Sequence, residues 1–504
     1  LAAPHSGVDV EQVIGTIREP LDLPAFNRAW QRLVDRHEAL RMRFLFDERG
    51  SARQFPRDGV VLAVDHTDCS DLQPDEQELR LQGYLKADRQ RGFDPRADLP
   101  SRVAVFRFGE SRYSFVWTWW HGILDGRARL ILLRELFLFY EAELHGDDCD
   151  LPLPRPYTEY TQWLAGREST AALPYWKALL EDFSEPTAVG GTRPAVTDPS
   201  ADRFNKHEVR LSEADTTRLR AFVGEHGVTM NTLIQAAWAL VLGAFSGQDD
   251  VVFGNTRACR RSAFDGDGSG DGVVGALINT VPVRVRIGPE LRVVEWLRQL
   301  REQHLAVRPF ELTPLVQIQA CSGVRSDRRL FDSLVVYENQ LLDSALRTSN
   351  GEWATRRFEI RGCPGFALLV YGYGEPSLLL GIANERQHVD DATAARMLAH
   401  LVQAMLSLAE YPQALVTAIP LLPPAERQML LEDWNRTEAP FEVDGTIDSC
   451  FARQAARTPN APALTFNGQC WSFRELDEAA EGIAKRLRAA GAKPELVVGV
   501  CIGR

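Results

Sequence analysis

Apolar residues recur at helical spacing from Leu23 to Leu40, where Phe26, Trp30, Leu33 and Val34 share one face. Asp22 and Pro24 supply start signals, and the helix is expected to run out in Arg36-His37-Glu38-Ala39-Leu40-Arg41. Short strands follow to about Asp65, then a helical segment around Glu76 to Arg89. Next come two strand-like runs, Arg102 to Arg107 and Tyr113 to Trp119. Beyond them, Arg127 to Leu144 carries apolar residues at 130, 131, 133, 136, 137 and 140, which is a wide helical face. In the second half Thr229 to Phe245 reads as an apolar helix, and Asp250 to Gly254, Val281 to Arg286 and Ser333 to Tyr337 read as strands. Both halves mix strands with helices, so the expected fold class is α/β (α+β).

The pattern breaks at the Pro-rich stretch Leu151 to Pro156, at the Gly/Pro-rich stretch Val189 to Pro199, and again at Pro420-Leu421-Leu422-Pro423-Pro424. Ser472-Phe473-Arg474-Glu475 then forms a capping box that opens a helix to Ala490, followed by a strand-like run from Val497 to Ile502. We therefore divide the chain into 1–168, 169–420, a linker 421–445, and 446–504 as the start of another α/β domain. Both ends read as cut from a longer chain.

With 504 residues the chain is too long for one core. Its composition, 45% hydrophobic and 25% charged, is that of an ordinary globular protein. A formal net charge of −12 argues against a nucleic-acid partner, whose phosphates need clustered Lys and Arg. The eight cysteines are scattered without CxxC spacing, which suits reduced thiols in a cytoplasm and offers no zinc site. Asp265-Gly266-Asp267-Gly268 lacks the later Glu of a calcium loop, so no metal is expected. No run of 18 apolar residues exists to span a membrane.

Candidate chemistry sits between the strand ending at Trp119 and the helix from Arg127. There Trp120-His121-Gly122-Ile123-Leu124-Asp125-Gly126 contains HxxxDG. A histidine on a strand-to-helix connection can project into a cleft and take or steer a proton near neutral pH. The structural alternative is a histidine satisfied in a strand-end turn, with Asp125 capping the next helix.

Other segments decide between these readings. Arg36-His37-Glu38-Ala39-Leu40-Arg41-Met42-Arg43-Phe44 resembles the RHExLRTxF motif of nonribosomal peptide synthetase condensation domains. Further similar segments follow in that family's order: Arg91-Gly92-Phe93-Asp94, the HxxxDG core, Tyr157 to Trp163, Tyr175-Trp176, Val274 to Thr280, and Phe331 to Asn339. The resemblance covers about residues 8 to 420. Leu421-Leu422-Pro423, Trp434-Asn435, Ala461 to Leu464 and Trp471 to Leu476 resemble the linker and first segment of an adenylation domain. The phosphate-binding loop of that domain is not among these residues, so this chain is not expected to adenylate.

The resemblance implies two chloramphenicol-acetyltransferase-like lobes in a V shape, 1–168 and 169–420, with a tunnel between them. It implies amide-bond formation, in which a carrier-bound aminoacyl amine attacks a carrier-bound acyl or peptidyl thioester. Upstream donor and downstream acceptor peptidyl carrier proteins would be the partners, with the adenylation domain in cis and the chain a monomer. Phosphopantetheine arms would arrive on those carriers, the domain binding no cofactor of its own. His121 would act as base or hydrogen-bonding positioner, and Gly126 would keep the passage open and lend its N–H to the oxyanion. Asp125 would pair with an arginine, for which Arg41 or Arg36 is the candidate, and Asn279, Thr280 and Trp176 would line the tunnel.

Departures from the family pattern keep alternatives open. Trp120 replaces the first histidine of HHxxxDG, Ala128 stands where Ser is frequent, and only Arg308-Pro309-Phe310-Glu311 remains of HQDxPFE. The family's opening helix and first motif, roughly 20 residues, would precede Leu1. An atypical member performing ester formation, dehydration or starter acylation, or a non-catalytic docking platform for carriers, would carry the same motifs. Epimerisation is disfavoured by the adenylation-like tail.

Overall fold

The structure is a computed structural model that describes residues 7–46, 52–167, 169–188, 203–339, 342–347, 355–362, 365–439 and 445–502. The Gly/Pro-rich stretch at 189–199 lies outside the described residues. Leu1–Pro423 form one unit and Pro424–Arg504 another.

Eleven strands of the first unit build its two large sheets. They are β1 (Val10–Ile17), β2 (Val64–Asp68), β3 (Ser101–Gly109), β4 (Arg112–Trp120), β5 (Phe204–Arg210), β6 (Asp250–Ala258), β7 (Ile278–Arg286), β8 (Ser333–Glu338), β9 (Arg356–Arg361), β10 (Leu368–Tyr373) and β11 (Leu379–Glu385). One sheet has the order β9-β1-β4-β3-β2, the other β5-β11-β10-β8-β6-β7. Packed helices complete a mixed α/β architecture.

The first core forms where the helix Leu23–Arg36 lays Phe26, Trp30 and Leu33 on the apolar face of β4. Trp30 meets Trp117 with ring centroids 5.4 Å apart. The start signals act as expected: Asp22 Oδ1 accepts from the Ala25 N–H at 2.8 Å, and Pro24 lies in the first turn. The helix Gly126–His145 closes the layer, burying Leu132, Leu133, Leu136 and Phe137.

Strand β1 carries no period-two signal because it is an interior strand. It pairs with β4 on one side and β9 on the other, and nearly all its residues are buried, so polar and apolar positions do not alternate. Its partner β9 comes from the second half of the chain, and Phe264, Val273, Leu277 and Phe358 of that half are buried in the first core. A cut at residue 168 therefore separates pieces that share a core.

The second core surrounds the helix Met230–Ser246, whose run from Leu233 to Leu242 is buried all round. That explains an apolar helix without a polar face. Among the described residues no single helix is long and apolar enough to cross a membrane.

In the second unit, the capping box at Ser472 and Glu475 starts the helix Phe473–Ala489 as expected, beside a hairpin of Pro462–Phe466 and Gln469–Ser472. The run from Val497 to Ile502 does not form the strand its composition predicts. No neighbouring strand supplies a hydrogen-bonding ladder there, and Val497, Val500 and Ile502 are exposed.

Candidate active site

Strand β4 ends at the motif. Trp120 stands opposite Val10 of β1, and the chain then turns, with the His121 N–H donating to Asp9 O at 2.8 Å and the Ile123 N–H to Trp120 O at 3.2 Å. Ile123 and Leu124 are fully buried in the first core, which fixes the turn. His121 and Gly122 are left exposed at its tip. The His121 ring makes no hydrogen bond among the described residues and lines a cavity of about 1150 Å³ together with Trp120, Gly126, Ala276, Ile278 and Glu338.

Asp125 holds the other end of the turn. Its Oδ1 accepts from the Ala128 N–H at 2.8 Å, capping the helix that begins at Gly126, and its Oδ2 accepts from the Leu277 N–H at 3.0 Å. The guanidinium of Arg260 reaches both oxygens through Nη2, at 2.6 and 2.8 Å. Arg260 Nη1 in turn donates to Gly270 O and Val273 O at 2.9 and 2.7 Å. With side-chain exposures of 4% and 1%, this is a buried ion pair whose hydrogen-bonding capacity is nearly filled.

This corrects the expected partner of Asp125. Arg36 bonds instead to Glu135, at 3.0 Å, beside His37, and Arg41 bonds to Arg57 O and Asp58 at 2.9 and 3.2 Å. Glu38 of the same segment accepts from the N–H and hydroxyl of Thr158, both at 2.9 Å, where the helix Tyr157–Ala165 begins. The RHEALR segment thus ties the end of the helix Leu23–Arg36 to the helices Gly126–His145 and Tyr157–Ala165. Arg260 gives no sequence signal beyond following an apolar strand; only the fold brings it to Asp125.

Sterics account for Gly126. A Cβ there would stand 3.0 Å from Glu338 Oε1 and 3.6 Å from Arg129 Nη2. Its N–H lies in the first turn of the helix, where no intrahelical acceptor exists. Trp120 is held as firmly as its neighbours: the indole Nε1 donates to Asp9 Oδ2 at 3.0 Å, and the ring meets Phe44 edge-on with centroids 4.8 Å apart. A Cβ at Gly122 would come within 2.9 Å of that ring.

Of the residues expected to line a tunnel, none lines this cavity. Trp176 is fully buried in a separate cluster with Phe183, Val252 and Phe331. Asn279 turns its amide to Glu311 O and Thr313 O, at 2.9 and 2.8 Å, and its Oδ1 accepts from the Thr280 N–H. On alternating β7 the inward positions fall to Ile278 and, just before the strand, Ala276. Asp265 and Asp267 bond to Arg167 and Arg155.

A condensation-domain family model matches residues 3–431, and a model of AMP-binding enzymes matches residues 451–504. A linear gramicidin synthase of Brevibacillus parabrevis is 34% identical over 99% of this chain, and a surfactin synthase of Bacillus subtilis (strain 168) is 28% identical over 99%. The chain spans only 6% and 38% of those two proteins. Among solved structures, the four-domain nonribosomal peptide synthetase AB3403 superposes with a TM-score of 0.73 at 16% identity, over 97% of this chain and 38% of that one. The X-domain from teicoplanin biosynthesis superposes with a TM-score of 0.67 at 20% identity, over 82% of this chain and 93% of that one. At such identities the superpositions speak for the fold alone.

Removing one side of the buried pair leaves an uncompensated charge. Asp125→Ala or Arg260→Ala should each lower unfolding stability by about 3–5 kcal/mol, against about 1 kcal/mol for Arg41→Ala, measured by denaturant titration. Equal losses for Arg260→Ala and Arg41→Ala would refute the assignment of Arg260.

Proposed function

We propose, since the chain belongs to the condensation-domain family, that it joins an acyl or peptidyl thioester on one carrier protein to the amine of an aminoacyl thioester on another, forming an amide. The observation that carries this reading is His121. It is fixed by a backbone bond at the end of β4, yet its ring has no hydrogen-bond partner among the described residues and faces a cavity. At about 1150 Å³ the cavity is larger than the roughly 300–1,000 Å³ of ordinary small-molecule sites, which leaves room for two reactants.

The amine must lose a proton as its lone pair attacks the thioester carbonyl carbon, and His121 takes or steers that proton. The carbonyl oxygen gains negative charge, which the Gly126 N–H, at the positive end of a helix, stabilises. Collapse breaks the C–S bond, and the departing thiolate takes up the proton. A thioester is already activated, so much of the acceleration comes from holding the two reactants together. Phosphopantetheine arms arrive with the substrates on the carriers.

Trp120 fits a working site. Its indole is drawn toward Asp9 and Phe44, and His121 stays open to the cavity beside it. An inert docking platform would not need that opening. We place the reaction in the cytoplasm, where scattered thiols stay reduced. Donor and acceptor carriers are the partners, and the AMP-binding segment lies in cis.

With donor- and acceptor-loaded carriers, His121→Ala should slow product formation by at least about 100-fold. An undiminished rate in that variant would sink the assignment. Trp120→His forfeits the bond to Asp9 and the contact with Phe44, so it should lose about 1–3 kcal/mol of stability and reduce condensation. A faster variant would show that the indole obstructs the site.

A further inference from the structure

The cavity that His121 lines also holds a carboxyl and a guanidinium that the motif does not announce. Glu338 ends β8, and Arg129 lies in the first turn of the helix Gly126–His145; both line the cavity. Glu338 Oε1 and Arg129 Nη2 lie 3.0 and 3.6 Å from a single point, the Cβ position that Gly126 leaves empty. Neither side chain makes a hydrogen bond or ion pair among the described residues, and Arg129 Nε is buried without a partner. Opposite charges placed this close inside a protein normally pair. Here they flank a gap.

The surroundings of Glu338 explain why a cation would enter that gap. Burial pushes its carboxyl above the ordinary carboxylate range; Arg129 opposes this, while Asp125 and Glu11 of β1 add to it. Tyr373 of β10 faces it as well. A carboxylate short of partners gains from a cation that comes to it. An α-amino group, with an ordinary pKa of about 7.7–8.0, is largely ammonium at neutral pH and cannot attack until it gives up a proton.

We propose that Glu338 receives the acceptor's ammonium and takes its first proton, with Arg129 donating to a carbonyl oxygen of the same aminoacyl group. The ammonium gives one proton to the carboxylate and becomes a free amine. The lone pair forms the C–N bond, the second proton passes by way of His121 to the thiolate released when the C–S bond breaks, and Glu338 returns its proton to solvent. The amine comes to Glu338 from the cavity that Gly126, Arg129 and Glu338 all line. This inference rests on His121 serving amide formation.

The test uses the full chain and carriers loaded with a panel of acyl donors and aminoacyl acceptors, continuing with a pair that the wild type condenses. Rates are followed from pH 6.5 to 9 for wild type, Glu338→Gln and Glu338→Asp. Glu338→Gln should slow condensation by about 100-fold at pH 6.5 and by less than about tenfold at pH 9, where the amine is already free. Glu338→Asp should fall between Gln and wild type. Thermal unfolding should find Glu338→Gln at least as stable as wild type, because it removes an unpaired charge. An equal loss at every pH, no loss, or a lowered melting temperature would overturn the role of Glu338 while leaving His121 untouched. A wild type that condenses no pair would overturn the His121 reading, and this inference with it.

Discussion

The buried pair between Asp125 and Arg260 is the interaction on which the site depends. One carboxylate closes the turn after β4, caps the helix that follows, and receives the Leu277 N–H and the Arg260 guanidinium from the second half of the chain. Two charges this deep are costly to desolvate and are retained only when their remaining valences are filled. The carbonyls of Gly270 and Val273 and the N–H groups of Ala128 and Leu277 fill most of them. What results is a cross-link between distant parts of the sequence, placed at the foot of the motif.

His121 owes its position to that arrangement and to the buried Ile123 and Leu124 between them. With the turn pinned at Asp9 on one side and Asp125 on the other, the imidazole projects from a loop with little freedom to move and stays aimed at the cavity. Trp120 follows the same logic. Directly before His121 the chain places an indole whose N–H finds Asp9 and whose ring meets Phe44 edge-on.

Features that depend on local pattern were legible in the sequence. The amphipathic face of Leu23–Arg36, the caps at Asp22 and Ser472, and the strand, turn and helix around HxxxDG all appear where residue spacing puts them. Features decided by long-range packing were not. β1 has no period-two pattern because both of its faces are covered, and β9 crosses into the first sheet without any local signal. Arg260 looked like one of many basic residues, whereas the arginines of RHEALR, nearer in sequence, serve Glu135 and Asp58. Trp176 belongs to a core and Asn279 ties down the backbone at Glu311 and Thr313, roles that a motif match to a tunnel lining does not distinguish. Glu338 lay inside a recognised segment, yet only its distance from Gly126 reveals what it can do.

The most direct measurement is a double-mutant cycle on Asp125→Asn and Arg260→Gln, reading unfolding free energy and single-turnover condensation in the same four proteins. A cross-link that holds the site predicts strong coupling, at least about 2 kcal/mol in stability, with either single variant losing most of the condensation rate that the double variant loses. Effects that add to within about 0.5 kcal/mol would mean that the two residues act independently, and would contradict the dependence of the site on their pairing.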